Sequence, residues 1–219
     1  MQVTGRTLLV VGLVSCAGGI GLAIAAVPAL YALGASDHPI SPIDPQPVME
    51  PWVLGTITVD AQDRTKWTYF DFSRGSVVED AIVDGHNWDL AFQRYRVATN
   101  GGTTNPNGFA GAIKFGKERP LLAPEDGYQV DDWEHDITYN HVFRRWYRYS
   151  PMANGLVSRG DYFIIRTADH GYAWLRFGSY HCPKLLGGGH GCITFDYGYR
   201  SDFSRELSPA VARLEAIAP

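Results

Sequence analysis

Two regimes of apolar patterning divide the chain. From Leu8 to Leu33 the sequence runs LLVVGLVSCAGGIGLAIAAVPALYAL without a charged side chain. As a helix rising about 1.5 Å per residue this stretch is roughly 39 Å long, enough to cross a hydrocarbon core of about 30 Å with some tilt. From Trp52 onward the apolar runs shorten and alternate with polar positions, which is the period of half-buried strands. Val53–Val59 and Trp67–Phe72 read as two strands, and the polar segment Asp60–Lys66 between them predicts a hairpin. Trp88–Val97 alternates again, and Phe109–Phe115 reads as an edge strand. Trp133–Tyr149 is less regular, with Asn140–Tyr149 readable as a short helix or an aromatic strand. Asp161–Thr167 and Tyr172–Tyr180 flank Ala168-Asp169-His170-Gly171, a hairpin with Asp-x-Gly turn chemistry. Cys192–Tyr199 supplies the last strand, and Ser208-Pro209 places an N-cap and an N1 proline before a short amphipathic helix. The expected fold is all-β: a single antiparallel β-rich domain (53–204), preceded by one transmembrane α-helix (1–35) and a Pro-rich linker (36–52), and followed by a short C-terminal helix and tail (205–219).

The apolar segment is longer than the roughly 7–15 residues of a cleaved signal peptide. Leu13-Val14-Ser15-Cys16 resembles a lipobox that would acylate Cys16, but the apolar run continues past it to Leu33, where a polar tether is expected. An uncleaved membrane helix is therefore the preferred reading. Arg6 precedes it and Asp37 follows, so the positive-inside tendency puts the N-terminus in the cytoplasm and the domain in a periplasm. That makes a single-pass protein of a bacterial inner membrane. Ala17, Gly21 and Ala25 recur four apart on one helix face, a spacing that lets a second membrane helix approach closely, although small residues are also simply common in membrane helices. The partners expected from this face are other transmembrane subunits, within the lipid bilayer. Prolines at 39, 42, 45, 47 and 51 then hold the chain extended as a spacer.

Composition narrows the chemistry. The net charge of −4 comes with no clustered basic face, so nucleic acid is not an expected partner. Cys182 and Cys192 enclose the loop PKLLGGGHG and predict a disulfide in an oxidising compartment. His181 and His190 flank the same loop, but its glycines argue against a preformed centre, and no metal is expected. Neither G-x-S-x-G nor H-E-x-x-H occurs, and the chain is not expected to be an enzyme. Asp131, Asp132, Glu134 and Asp136 lack EF-hand spacing and read as a solvated loop. Arg144, Arg145 and Arg148 read as a solvated face.

Several motifs then occur in a recognisable order. Trp88-Asp89-Leu90-Ala91-Phe92, Arg94-Tyr95 and Thr99-Asn100-Gly101-Gly102 are followed by Tyr162–Asp169, Tyr172–Phe177 and Ile193–Tyr197. Together, across Val53 to Tyr199, they resemble the HmuY-like family of bacterial haem-binding proteins. The resemblance implies an all-β domain that captures haem through two axial histidines or methionines on loops. Met152 stands where the second ligand is expected, upstream of the strand ending in Arg166-Thr167-Ala168-Asp169. The first would fall after Asn100-Gly101-Gly102, where Thr103–Asp132 holds neither His nor Met, so His135 and His141 beyond it are the remaining candidates. Around them Trp133, Tyr139, Phe143, Trp146, Tyr147 and Tyr149 are aromatic enough to line a porphyrin pocket. The absence of C-x-x-C-H excludes covalent haem attachment. The preferred reading is a non-enzymatic accessory subunit of an integral membrane complex of the energy-transducing kind, in respiratory electron transport or photosynthesis. The alternative is a membrane-tethered haem-binding or haem-transfer protein. No cofactor is required by the first reading; haem is the cofactor of the second.

Overall fold

The computed structural model describes residues 40–41, 52–134 and 137–208. The expected anchor with Ala17, Gly21 and Ala25, most of the Pro-rich linker, His135 and the expected C-terminal helix lie outside the described residues. Among those described, no helix is long and apolar enough to cross a membrane.

Two antiparallel sheets, facing each other across aromatic side chains, carry the described residues. The larger has five strands: β1 (Trp52–Asp60), β6 (Gly111–Gly116), β11 (Tyr162–Arg166), β12 (Tyr172–His181) and β13 (His190–Arg200), in the order β1-β13-β12-β11-β6. The smaller has β2 (Thr68–Asp71), β3 (Ser76–Val78), β4 (Leu90–Gln93) and β5 (Arg96–Thr99), in the order β3-β2-β4-β5. Two short hairpins complete the set, β7 (Asp132–Glu134) with β8 (Ile137–Tyr139) and β9 (Tyr147–Ser150) with β10 (Gly155–Ser158). The all-β antiparallel architecture expected from the alternation is thus present.

Three expectations about connectivity are corrected. β1 does not form a hairpin with β2: it pairs along its whole length with β13, from Trp52 opposite Arg200 to Asp60 opposite Cys192. The polar segment after Asp60 is therefore a crossover between sheets rather than a tight turn. The run from Trp88 to Val97 is not one strand but β4 and β5, folded back at Arg94-Tyr95. Arg94 takes the left-handed conformation there at φ 55°. Its backbone N–H donates to the Ala61 carbonyl at 2.8 Å and its guanidinium to the His190 and Gln62 carbonyls at 2.9 and 3.2 Å. These bonds offset a backbone cost of about 1–3 kcal/mol, and alternation alone carries no trace of them. Asn140–Tyr149 is both alternatives in sequence, a 3₁₀ turn at His141–Phe143 followed by β9.

The core between the sheets is aromatic. Phe70 and Phe92 of the smaller sheet meet Phe195 of β13 at ring-centre separations of 5.2 and 5.6 Å, and Tyr197 packs on Phe70 at 5.8 Å. Gly55 in β1 lies against the Tyr197 ring, where a Cβ would come within 2.9 Å of it. A second apolar layer, Ile164 and Trp174 with Ala123 and Leu207, covers the opposite face of the larger sheet. A third, Trp88 with Ala91 and Ala98, backs the smaller sheet. The smaller sheet is therefore covered on both faces at β4, which is why β4 is buried throughout instead of alternating.

Asp89 ties the layers together. Wholly buried, its carboxylate accepts from the Phe72 N–H at 2.8 Å and from the Ala168 N–H at 2.7 Å, joining the smaller sheet to the β11–β12 turn. Burial, reinforced by the neighbouring Asp71 and Asp169 charges, pushes its pKa well above the ordinary carboxylate range.

Candidate functional site

A cavity of about 670 Å³ opens beside the segment that the periodicity read least clearly. It begins with anchoring. Asn140, fully buried, donates its backbone N–H to the Val97 carbonyl at 3.1 Å and its side-chain amide to the Gln129 carbonyl at 2.8 Å. Its Oδ1 accepts from the Val142 N–H at 3.1 Å and so caps the 3₁₀ turn. Phe143 packs on Phe163 at 5.1 Å. Trp146 stacks on Phe177 at 4.5 Å and donates its indole N–H to the Tyr95 carbonyl at 2.9 Å. With Phe143 and Trp146 held in the core three residues apart, Arg144 and Arg145 between them are turned outward. β9 then alternates Tyr147, Arg148 and Tyr149 along the same rim.

The resulting wall combines two chemistries. Tyr95, Tyr139, Phe143, Tyr147 and Tyr149 supply aromatic surface, and Arg96, Arg144, Arg145, Arg148 and Arg159 supply guanidinium groups. Tyr95 and Tyr147 meet edge-on at 5.5 Å, and burial together with Tyr95 raises the pKa of Tyr147, so this phenol stays protonated. Arg159 is fixed by donating from Nε to the Tyr147 carbonyl at 2.9 Å. Five cations around an aromatic cleft of this size suit a flat apolar ligand bearing carboxylates, which stacks on the rings and pairs with the guanidinium forks. Arg144, Arg145 and Arg148 are exposed, as expected of a solvated face, and also line the cavity.

Behind the wall sits Asp131, only 2% exposed. Both of its oxygens accept from the Thr99 N–H at 2.9 Å, and it takes the Thr99 and Thr104 hydroxyls at 2.7 and 2.5 Å. Burial, opposed by these bonds, pushes its pKa up to about 6. The reading of this residue as part of a solvated acidic loop is corrected: the hydroxyls 32 and 27 residues upstream, invisible to local spacing, draw it inside.

The sequence-predicted ligands fall around the cavity rather than in its wall. His141 stands in the 3₁₀ turn between the wall residues Asn140 and Phe143, its ring 4.9 Å from that of Tyr139. Met152 occupies the β9–β10 turn and is 90% exposed. Neither lines the cavity, and His135 lies outside the described residues. Trp146, expected as a lining residue, lies beneath the wall instead, and Trp133 is exposed on β7. Among the described residues no group of three or more His, Cys, Asp or Glu side chains is placed to hold a metal ion. Cys182 and Cys192 form the expected disulfide, with Cα atoms 4.8 Å apart.

Residues 63–197 match the family model described as HmuY protein. No curated protein matches the chain. Among solved structures, the apo HmuY analog of Tannerella forsythia is 19% identical, with a TM-score of 0.49, covering 69% of this chain and 97% of that one. A Bacteroides vulgatus protein provisionally described as an HmuY-like heme-binding protein is 22% identical at TM-score 0.49, covering 66% of this chain and 90% of that one. A Bacteroides fragilis protein provisionally described as a lipoprotein gives the same 22% and 0.49, covering 66% of this chain and 89% of that one.

Proposed function

The chain belongs to the HmuY protein family, and on that premise we propose that it is a haem-binding protein rather than a catalyst, tethered to a membrane by Leu8–Leu33. The observation that carries the reading is the cavity whose lining combines Tyr95, Tyr147 and Tyr149 with Arg144, Arg145 and Arg148. Aromatic faces there accept a planar macrocycle and exclude water from it, while the guanidinium groups hold its carboxylates at the rim. Bound haem would supply an iron centre whose further chemistry depends on its axial ligands. This chain's contribution is stacking and charge. His141, beside the wall, and Met152, on the adjoining exposed turn, are the residues within this region that would take iron on a local rearrangement of the β9–β10 hairpin.

The setting is consistent with that reading. The Cys182–Cys192 disulfide supports an oxidising compartment outside the cytoplasm. The accessory-subunit reading rests on Ala17, Gly21 and Ala25, outside the described residues, and nothing in the described fold adds to it. Haem binding therefore comes first. The test is an absorbance titration of the untagged full-length protein, in detergent, with haemin and separately with metal-free protoporphyrin IX. Both should bind at micromolar concentration, with affinities within about tenfold of each other, because stacking and guanidinium pairing act on the ring and its carboxylates. Arg145→Ala/Arg148→Ala should weaken both. No spectral change with either porphyrin would remove the proposal.

A further inference from the structure

Away from this cavity, the end of the β12–β13 ladder brings two histidines together. His181 and His190 are direct cross-strand partners, and their ring centres stand 4.7 Å apart at an interplanar angle of 50°. Loop flexibility, the sequence-level argument against a centre here, belongs to Gly187, Gly188 and Gly189, all at positive φ. The histidines themselves stand on the strands. The Cys182–Cys192 disulfide ties the two strands beside them, so the pair is held before any ligand arrives.

Three features of the pair point the same way. Imidazoles bound through nitrogen at about 2.0–2.1 Å and set cis on one metal ion have ring centres about 4.5–5 Å apart, which brackets the spacing found. His190 Nδ1 is buried and has no hydrogen-bond partner in the protein, a costly state for a ring nitrogen unless something engages it. Burial, with a contribution from His190, lowers the pKa of His181 and keeps its imidazole in the neutral form that ligates. Access exists as well. His190 lines a second cavity, of about 440 Å³, together with Arg64, Gly155 and Tyr180. A Cβ at Gly155 would come within 2.8 Å of His190 Cε1, so a larger residue there displaces the ring. Of the three arginines lining this cavity, Arg64, Arg94 and Arg96, Arg94 is committed to the His190 and Gln62 carbonyls and Arg96 donates to Gln93 Oε1.

We infer that His181 and His190 form a two-imidazole site for a divalent transition-metal cation, with solvent completing the coordination. Two imidazoles favour Cu²⁺ over Zn²⁺ and Ni²⁺ by the usual order of stabilities. With only two protein ligands the ion remains exchangeable, which suits labile loading rather than a structural centre. The site shares no wall residue with the proposed haem contacts except the Tyr95-Arg96 edge.

The experiment is Cu²⁺ titration of the untagged, oxidised full-length protein, read by calorimetry and by pulsed EPR of the bound ion. One Cu²⁺ per chain with two coordinated imidazoles is expected. His181→Asn and His190→Asn should each weaken binding at least about tenfold and leave one imidazole in the spectrum. Gly155→Ala, which removes no ligand, should weaken it by displacing the His190 ring. His86→Asn should match the wild type. Equal affinity in the wild type and both single variants, or a single-imidazole spectrum in the wild type, would overturn the inference. The Gly155→Ala result keeps it open to refutation should His190→Asn fail to fold. Because porphyrin is absent from the assay, failure here leaves haem binding untouched, and the reverse also holds.

Discussion

Replacing Asp131 with Asn should remove a pH dependence that the wild type carries in its stability. The folded-state pKa stands at about 6, raised by burial, whereas an unfolded Asp titrates near about 3.9. Between these values the folded chain holds a proton that the unfolded chain has lost, so stability falls as pH rises through the window. The gap of roughly two units corresponds to about 3 kcal/mol, fully present below about pH 4 and lost above about pH 6. With the side chain only 2% exposed, little solvent screening reduces this figure. The neutral amide keeps one acceptor for the Thr99 N–H, and its NH₂ can donate to the Thr104 hydroxyl. Asp131→Asn should therefore be at least as stable as the wild type at pH 7.5 and less stable relative to it at pH 4. Asp131→Ala should be destabilised at pH 7.5, since it strands the buried Thr99 N–H and empties the space, and by about 3 kcal/mol more at pH 4, where the wild type also has the proton-linked term that Ala lacks. Urea unfolding of each protein at both pH values measures the difference directly. Asp89 and Asp71 also have raised pKa values, but they are common to all three proteins and cancel in the comparison. A wild-type minus Asp131→Asn difference that is flat, or that grows in favour of the wild type as pH rises, would refute the assignment of a buried, proton-holding carboxylate.

Other consequences follow from single contacts. Cys182→Ser/Cys192→Ser should lower stability by about 3 kcal/mol, the chain-entropy value for a short loop, seen as a reduced denaturant midpoint that matches the reduced wild type. Trp146→Ala should cost about 3–5 kcal/mol, while Trp146→Phe, which keeps the stack on Phe177 but not the bond to the Tyr95 carbonyl, should cost about 1–3 kcal/mol by leaving that carbonyl unpaired; both are read by chemical unfolding. Gly198→Ala places a Cβ against the Trp174 indole and Leu54, so it should destabilise by about 1–3 kcal/mol, with a shifted Trp emission.

How much of this was legible in the sequence follows from the range of the interactions. The Tyr162–Arg166 and Tyr172–His181 hairpin was visible because its turn chemistry and both strands lie in one window. The disulfide was visible because two cysteines enclosing a glycine-rich loop have few other partners. The partner of β1 was not, since Trp52–Asp60 pairs with residues near the far end of the chain. No local period records that choice. The split of Trp88–Val97 was hidden for the same reason, because the bonds that hold Arg94 at positive φ reach to Ala61 and His190. Of the aromatic residues in 133–149, Tyr139, Phe143, Tyr147 and Tyr149 line the cavity, whereas Trp146 is core. The place of Arg144 and Arg145 on the cavity wall was not legible, because it depends on Phe143 and Trp146 being drawn into a core supplied by β11 and β12. The motif Trp88–Phe92 named the family through residues that are structural: Trp88 and Phe92 are fully buried and Asp89 joins the layers. That is why the fold carried over further than the ligand positions did.

A carboxylate-bearing macrocycle in the tyrosine–arginine cavity would owe part of its affinity to its charged groups. Affinities of the full-length protein for protoporphyrin IX and for its dimethyl ester can be measured by quenching of tryptophan fluorescence, since the two ligands share the ring and differ only in the charged groups. Charged hydrogen bonds of about 1.5–3 kcal/mol each predict that the ester binds at least tenfold more weakly, and that this difference shrinks in Arg145→Ala/Arg148→Ala. Equal binding of acid and ester by the wild-type protein would contradict the claim.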